Sequence, residues 1–157
     1  SIKAPFGAHG IDPDVPFILA ILGPLLVFVA VGIYEETFSR GYQLHNLAEG
    51  FNWKMIGPRW AIVIATLLSS AVFGLLHLGN PNASFISTFN IFVAGAVLLA
   101  MGVLLTGDLA IPIGVHITWN FFQGNVFGFP VSGSDFSMAT FISRPSARQV
   151  ASRLEPP

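Results

Sequence analysis

The sequence contains no cysteine among its 157 residues, and this absence excludes disulfide bridges, thiolate metal ligands and a cysteine nucleophile. Charge is also scarce, because charged residues make up 10% of the chain, against roughly 25% in an average soluble domain. A surface with so few charges would not keep a soluble domain dispersed. The net charge of −1 offers no basic patch, so we expect no nucleic-acid partner. The composition indicates a membrane protein.

The two ends of the chain lack an apolar pattern. Residues 1–14 show no basic start followed by a short apolar core, so no signal peptide is visible. Residues 134–157 are polar and have no apolar period. We therefore divide the chain into an N-terminal flank (1–14), a core (15–133) and a polar C-terminal tail (134–157). Because residue 1 is serine, we expect the sequence to be a fragment of a longer protein.

Long uncharged runs are the main feature of the core. A helix needs about 20 apolar residues to cross a bilayer, and four runs meet this length: 15–34, 60–79, 85–106 and 109–131. We predict an all-α, polytopic membrane bundle of about four transmembrane helices around a buried polar site, in contact with membrane lipid. The alternative is a hydrophobic globular bundle, although uncharged runs of this length are unusual in soluble helices.

One connection, over residues 45–59, is longer than the others. A group of aromatic and basic side chains typical of a membrane–water interface lies in this connection and at the start of the next run: Trp53, Lys54, Arg59 and Trp60. Basic residues close to span ends favour the cytoplasmic side of a membrane. We therefore predict that this connection faces the cytoplasm.

Ionisable residues in the spans are few, and they are functional candidates because a charge in a bilayer is expensive. The first cluster is YEETFSRGY, residues 34–42. In a helix, Glu36 and Arg40 lie at i and i+4 and can form an ion pair. Glu35 points about 100° away, so it lacks that partner. The alternative is that the span ends at Tyr34 and that these charges lie at the interface.

Two further clusters each contain a histidine. In FGLLH, residues 73–77, Phe73 lies one turn before His77, and its ring is predicted to wall one side of the imidazole. In HITWN, residues 116–120, His116 and Asn120 share a helix face and can bond to the same neighbour. Each cluster also has a structural interpretation, as a satisfied histidine or as interhelical hydrogen bonding.

These polar side chains can satisfy one another only by converging. The converging set would be one glutamate, two histidines and one asparagine: Glu35, His77, His116 and Asn120. A glutamate can take a proton from water and a histidine can pass it to a leaving amine, while another histidine and an amide hold the oxyanion. Alternatively, Glu35, His77 and His116 could hold a divalent metal such as zinc. Either arrangement requires the first helix to continue past Glu35 to Leu47.

The order and spacing of the three clusters resemble those of a known family. EETFSRG fits the motif EExxxRG, FGLLH fits FxxxH, and HITWN fits HxxxN. The sequence is similar to the CPBP family of intramembrane proteases, also called the CAAX-protease or Abi family. The residues around the motifs resemble bacterial members, and the resemblance covers residues 15–133.

The resemblance implies a role for each catalytic residue. Glu35 would be the general base that activates water with the help of His77, while His116 and Asn120 would stabilise the oxyanion. Members of the family are commonly labelled metalloproteases, so a metal-dependent mechanism and a metal-free glutamate mechanism both stay open.

The same resemblance implies supporting roles for other residues of the motifs. Glu36 and Arg40 would shape the site or contact the substrate, and Phe73 of the motif FxxxH would have a substrate-binding or supporting role. The expected activity is an intramembrane endopeptidase that hydrolyses a peptide bond of a membrane-associated or prenylated, CAAX-like substrate. The expected location is a bacterial inner membrane.

Two other functions fit the same polar set. The first is a non-catalytic bacteriocin-immunity or membrane scaffold protein, in which the polar residues are structural. The second is a small transporter or proton relay that uses the buried glutamate and histidines. A relay would need a polar path to the far side of the membrane, and the remaining halves of the spans are too apolar to provide one.

Overall fold

The computed structural model describes residues 16–134, and over this range the chain is helical apart from turns and an isolated antiparallel bridge between Val131 and Ser134. Its α-helices are α1 Phe17–Glu36, α2 Leu44–Phe51, α3 Gly57–Leu76, α4 Phe85–Ala94, α5 Met101–Thr106 and α6 Ala110–Phe121. They form four successive helical rods, over residues 17–51, 57–79, 85–106 and 110–126. The predicted all-α bundle is therefore confirmed. The predicted flank (1–14) and all but the first residue of the predicted tail lie outside the described residues.

The first rod runs without interruption over Phe17–Phe51, a length of 35 residues. α1 passes into a π-helical stretch, Thr37–Gln43, and then into α2. A π-helical turn is wider than an α-helical one and is frequent at functional sites. The predicted continuation of the helix is confirmed, and Glu35 and Glu36 lie within the rod rather than at its end.

The second and third rods pack against each other through α3 and α4. α3 has Pro58 in its first turn, where the missing N–H would be unpaired anyway, and it ends in the 3₁₀ turn His77–Gly79. α4 is capped at its N-terminus by Ser84, which forms reciprocal hydrogen bonds with Ser87. The third rod then widens in the π-helical stretch Gly95–Ala100 and continues as α5.

The fourth rod is shorter than its predicted range of 109–131. α6 has 12 residues and is followed by a 5-residue π-helical stretch, Phe122–Val126. The N–H of Phe127 bonds to the carbonyl of Phe122 at 2.9 Å, and the chain then turns back. Among the described residues, three helices are long and apolar enough to cross a membrane: Phe17–Phe51, Gly57–Gly79 and Phe85–Thr106.

The outside of the bundle is apolar, and part of its interior is polar. Leu26 and Leu105 on the outside are 67% and 77% exposed. The charged and amide side chains of Glu36, Arg40 and Asn125 are buried instead. This distribution suits a protein whose outer face meets hydrocarbon, because lipid rather than water then surrounds the exposed apolar side chains. The chain is an integral membrane protein with a polar centre between its rods.

Candidate active site

A buried ion pair joins two residues of the first rod. Nη1 of Arg40 lies 3.3 Å from Oε1 of Glu36, and the two side chains are 1% and 0% exposed. The guanidinium carbon of Arg40 lies 4.2 Å from the ring centroid of Phe73 on α3, which is a cation–π contact. The predicted i, i+4 pair is confirmed, and the ring of Phe73 connects it to the second rod.

Glu36 has a second partner that the sequence did not reveal. Its Oε1 lies 2.7 Å from Nδ1 of His116 on α6. Because an ionised carboxylate can only accept a hydrogen bond, Nδ1 is the donor, and in the neutral ring Nε2 is left as an acceptor. Glu36 therefore fixes both the orientation and the tautomer of His116.

Glu35 approaches the other nitrogen of the same imidazole. Its Oε2 lies 3.8 Å from Nε2 of His116, and its side chain is 23% exposed. This distance is too long for a hydrogen bond, and Oε2 has no hydrogen-bond partner in the described part of the chain. His116 thus lies between two carboxylates, one of which is bonded to it and one of which is close by.

His77 has a different environment, in the 3₁₀ turn that follows α3. Its Nδ1 donates to the backbone carbonyl oxygen of Phe73 at 2.7 Å, since a carbonyl oxygen has no proton to give. The two rings meet edge to face with centroids 4.8 Å apart, so Phe73 walls the imidazole as predicted. Within residues 16–134, Glu35 and Glu36 both lie within 4 Å of a nitrogen of His116, and no such contact involves His77.

Both imidazoles line one cavity of about 360 Å³. Asn120, whose side chain is almost fully buried, belongs to the same wall. The fold therefore brings three of the four predicted catalytic residues to a single space. Glu35 lies outside this wall, and its Oε2 lies 3.8 Å from Nε2 of His116, whose ring lines the cavity.

The third rod supplies wall residues that the charge pattern does not reveal. Asn90, Gly95 and Leu98 line the cavity together with the two histidines. The span 85–106 contains no ionisable group, and for this reason no functional residue is predicted there. The amide of Asn90 is the sequence signal that could have predicted a functional role for this rod, because polar side chains are costly inside a span.

Residues 130–133 contribute to one part of the cavity wall, and two side chains hold this segment in place. Gln123 accepts a hydrogen bond from Nε1 of Trp119 at 2.7 Å and donates to the carbonyl of Pro130 at 2.5 Å. Nδ2 of Asn82 donates to the carbonyl of Gly133 at 3.1 Å. A second cavity of about 590 Å³, rich in aromatic side chains, shares several of these wall residues. A bound molecule can therefore extend from the space beside the two histidines into a more apolar one.

A metal centre is not preassembled by these side chains. Over the described range, no group of three or more His, Cys, Asp or Glu residues is arranged to hold a metal ion. Nδ1 of His77 and Nδ1 of His116 are already hydrogen bonded, so only their Nε2 atoms remain as ligands. The predicted zinc at Glu35, His77 and His116 stays a prediction.

Comparison with known families identifies a relationship over most of the bundle. The family model described as type II CAAX prenyl endopeptidase Rce1-like matches residues 17–122. This range is more than half of the chain and includes all three motifs, at 35–41, 73–77 and 116–120. Comparisons with curated proteins and with solved structures gave no match. The resemblance expected from the motifs is confirmed.

Proposed function

We propose that this chain, which belongs to the Rce1-like family of type II CAAX prenyl endopeptidases, is an intramembrane endopeptidase that hydrolyses a membrane-associated peptide with activated water. The observation that carries the proposal is the position of His116. Its Nδ1 is bonded to Glu36, its Nε2 lies near Glu35, and its ring lines the cavity. His116 therefore has a carboxylate near each of its two nitrogens, an arrangement that suits a group through which a proton is passed.

Water activation is the first step of the proposed reaction. Glu35 takes a proton from a water molecule, and Nε2 of His116 shares that proton. A separation of 3.8 Å between these two groups suits sharing through a water molecule. The resemblance assigned this assistance to His77, but the distances favour His116. The water oxygen then bonds to the carbonyl carbon of the substrate.

The oxyanion that forms needs a hydrogen-bond donor, and the amide of Asn120 faces the same cavity. One such donor is worth roughly 3 kcal/mol. His77 provides a second donor at Nε2 when its ring carries two protons. When the carbon–nitrogen bond breaks, the proton taken from water passes to the leaving nitrogen. One water molecule is consumed, and one acid and one amine are formed.

Glu36 and Arg40 act on the reaction through His116. Both side chains are enclosed, which favours the shaping role over direct contact with a substrate. Glu36 holds Nδ1 of the imidazole, and Arg40 holds Glu36 while it rests on the ring of Phe73. These three residues are therefore positioning residues in the proposal.

The substrate class follows from the family and from the second cavity. We assign a prenylated or otherwise membrane-associated peptide, in keeping with the family description. The aromatic cavity of about 590 Å³ offers space for an apolar part of such a substrate beside the scissile bond. On the resemblance of the motif surroundings to bacterial members, we assign the protein to a bacterial inner membrane, which membrane fractionation would test.

Metal dependence is a separate question. The ligands of a catalytic zinc would be Glu35 and the Nε2 atoms of His77 and His116. Such an ion would lower the pKa of its bound water. Metal analysis of the purified protein, combined with activity after treatment with a chelator, distinguishes the two mechanisms. Stoichiometric zinc and loss of activity on its removal would establish the metal-dependent one.

The substitution Glu35→Gln tests the proposed base. We expect it to lower the cleavage of a fluorogenic farnesylated CAAX peptide by about 10³-fold, because the amide cannot accept a proton from water. The matched control is Glu49→Gln, since Glu49 is an exposed glutamate of the same rod. The assay uses the full chain in liposomes, with the unprenylated peptide as a second substrate.

Three results of this assay would count against the proposal. Normal cleavage by Glu35→Gln would show that the base is another group. Equal cleavage of both peptides would remove the prenyl group from the substrate assignment. A cellular protective phenotype that Glu35→Gln leaves intact would favour the non-catalytic immunity or scaffold function.

A further inference from the structure

Arg40 is enclosed at a point where three rods meet, and a glycine of the third rod makes room for it. The backbone of Gly95 lies beside the guanidinium, and a Cβ atom at this position would be 2.7 Å from Nη2 of Arg40. The same Cβ would be 3.3 Å from Cδ1 of Phe73. Real Cβ atoms essentially never come as close as the first of these distances, so any side chain at position 95 would displace the guanidinium.

The displaced group would be the end of a flexible side chain rather than the backbone. The fold can absorb such a movement, and a loss of the whole structure is not expected. The ion pair is less tolerant, because Nη1 of Arg40 already lies 3.3 Å from Glu36, near the upper limit for a hydrogen bond. A shift that lengthens this contact would release Glu36, which in turn holds Nδ1 of His116 at 2.7 Å.

We infer that Gly95 is a positioning residue for the proposed reaction, although it carries no side chain and lies in a span without charges. Because Gly95 has no side chain, Arg40 can pack against Phe73. The position of Arg40 in turn determines the positions of Glu36 and His116. The space at Gly95 accommodates a guanidinium in addition to the contact with α3, whereas helix–helix contact alone is the usual role of a glycine in a membrane helix. The kinetic part of this inference rests on the proposed function.

The kinetic test is Gly95→Ala, with Gly114→Ala as the matched control. Both glycines lie within helical segments of the bundle, but a Cβ at Gly114 meets no atom within 4 Å. Because a displacement of about 1 Å can cost about 100-fold in rate, we expect Gly95→Ala to lower kcat about 10- to 100-fold. KM for the farnesylated peptide should change much less, and Gly114→Ala should match the parent protein.

A double-mutant cycle separates the collision with Arg40 from other effects of the added methyl group. Lysine at position 40 has no atom equivalent to Nη2, so Gly95→Ala should cost little in the Arg40→Lys background. If Gly95→Ala lowers kcat by the same factor in both backgrounds, the methyl group acts on the cavity wall or on Phe73 and the inference is wrong. If Gly95→Ala does not fold, the test is whether the double variant Gly95→Ala with Arg40→Lys folds. A folded double variant supports the inference, and an unfolded one overturns it.

A second measurement does not depend on proteolysis. The ¹⁵N resonances of the His116 imidazole, assigned by their loss in His116→Asn, report the hydrogen bond to Glu36. We expect Gly95→Ala to shift the Nδ1 resonance and Gly114→Ala to leave it unchanged. An unshifted resonance in Gly95→Ala would overturn the inference. If the parent protein cleaves no peptide, the proposed function fails while this measurement still decides the role of Gly95.

Discussion

The end of α3 and the middle of α6 each present a histidine to the same cavity, but the two regions hold their histidines differently. His77 is partly exposed, and its Nδ1 is bonded to a carbonyl of its own helix, four residues earlier. His116 is 9% exposed, and its two nitrogens face carboxylates of a rod that lies 80 residues away in the chain. The difference teaches that the partners of an imidazole, rather than its presence in a motif, determine what it can do.

The physical basis of this difference is charge. A backbone carbonyl fixes the tautomer of His77 and brings no net charge to its ring. His116 instead has a carboxylate near each nitrogen, so that Glu35 can exchange a proton with Nε2 while Glu36 holds Nδ1. We therefore place proton transfer at His116 and the auxiliary donor at His77, and three substitutions test this order.

The largest effect is expected from His116→Ala. This substitution removes the imidazole that shares the proton with Glu35, so kcat for the farnesylated peptide should fall by about 10³-fold. The control is His45→Ala, because His45 is exposed on α2. If His116→Ala retains more activity than His77→Ala, the comparison between the two regions is reversed.

A smaller loss is expected from Glu36→Gln, which keeps the shape of the side chain but removes its charge. Partners that orient a catalytic ligand typically contribute about 10- to 100-fold, and we expect kcat to fall within this range. The ¹⁵N resonances of His116 should move as well, whereas those of His77 should not. Equal shifts in both histidines would indicate a general loosening of the bundle instead of a specific bond.

The smallest effect is expected from His77→Ala. A full oxyanion donor contributes about 10²- to 10³-fold, but His77 donates only when it carries a second proton, so we expect a loss of about 10-fold. KM should stay within about twofold, because Asn120 still holds the carbonyl oxygen. A loss as large as that of Glu35→Gln would assign His77 to water activation, as the family resemblance implied.

Local spacing accounts for the parts of the site that were correctly predicted. Glu36 with Arg40, and Phe73 with His77, are i and i+4 pairs, and a helix places such pairs on one face whatever surrounds it. The continuation of the first rod past Glu35 also followed, because the polar residues could meet in no other way. The end of the fourth rod was not predicted correctly, because the uncharged run continues past Phe127, where the chain turns back.

The sequence by itself determined that this protein is a helical membrane bundle and that its motif pairs lie on shared helix faces, because hydropathy and the helical repeat depend only on neighbouring residues. Only the tertiary structure decided that Glu36 bonds to His116, that His77 is tied to its own helix, and that Gly95 makes room for Arg40. These contacts depend on how the rods pack, and a glycine contributes through the space that it leaves. Such space is defined by residues from other rods, so no stretch of sequence contains it.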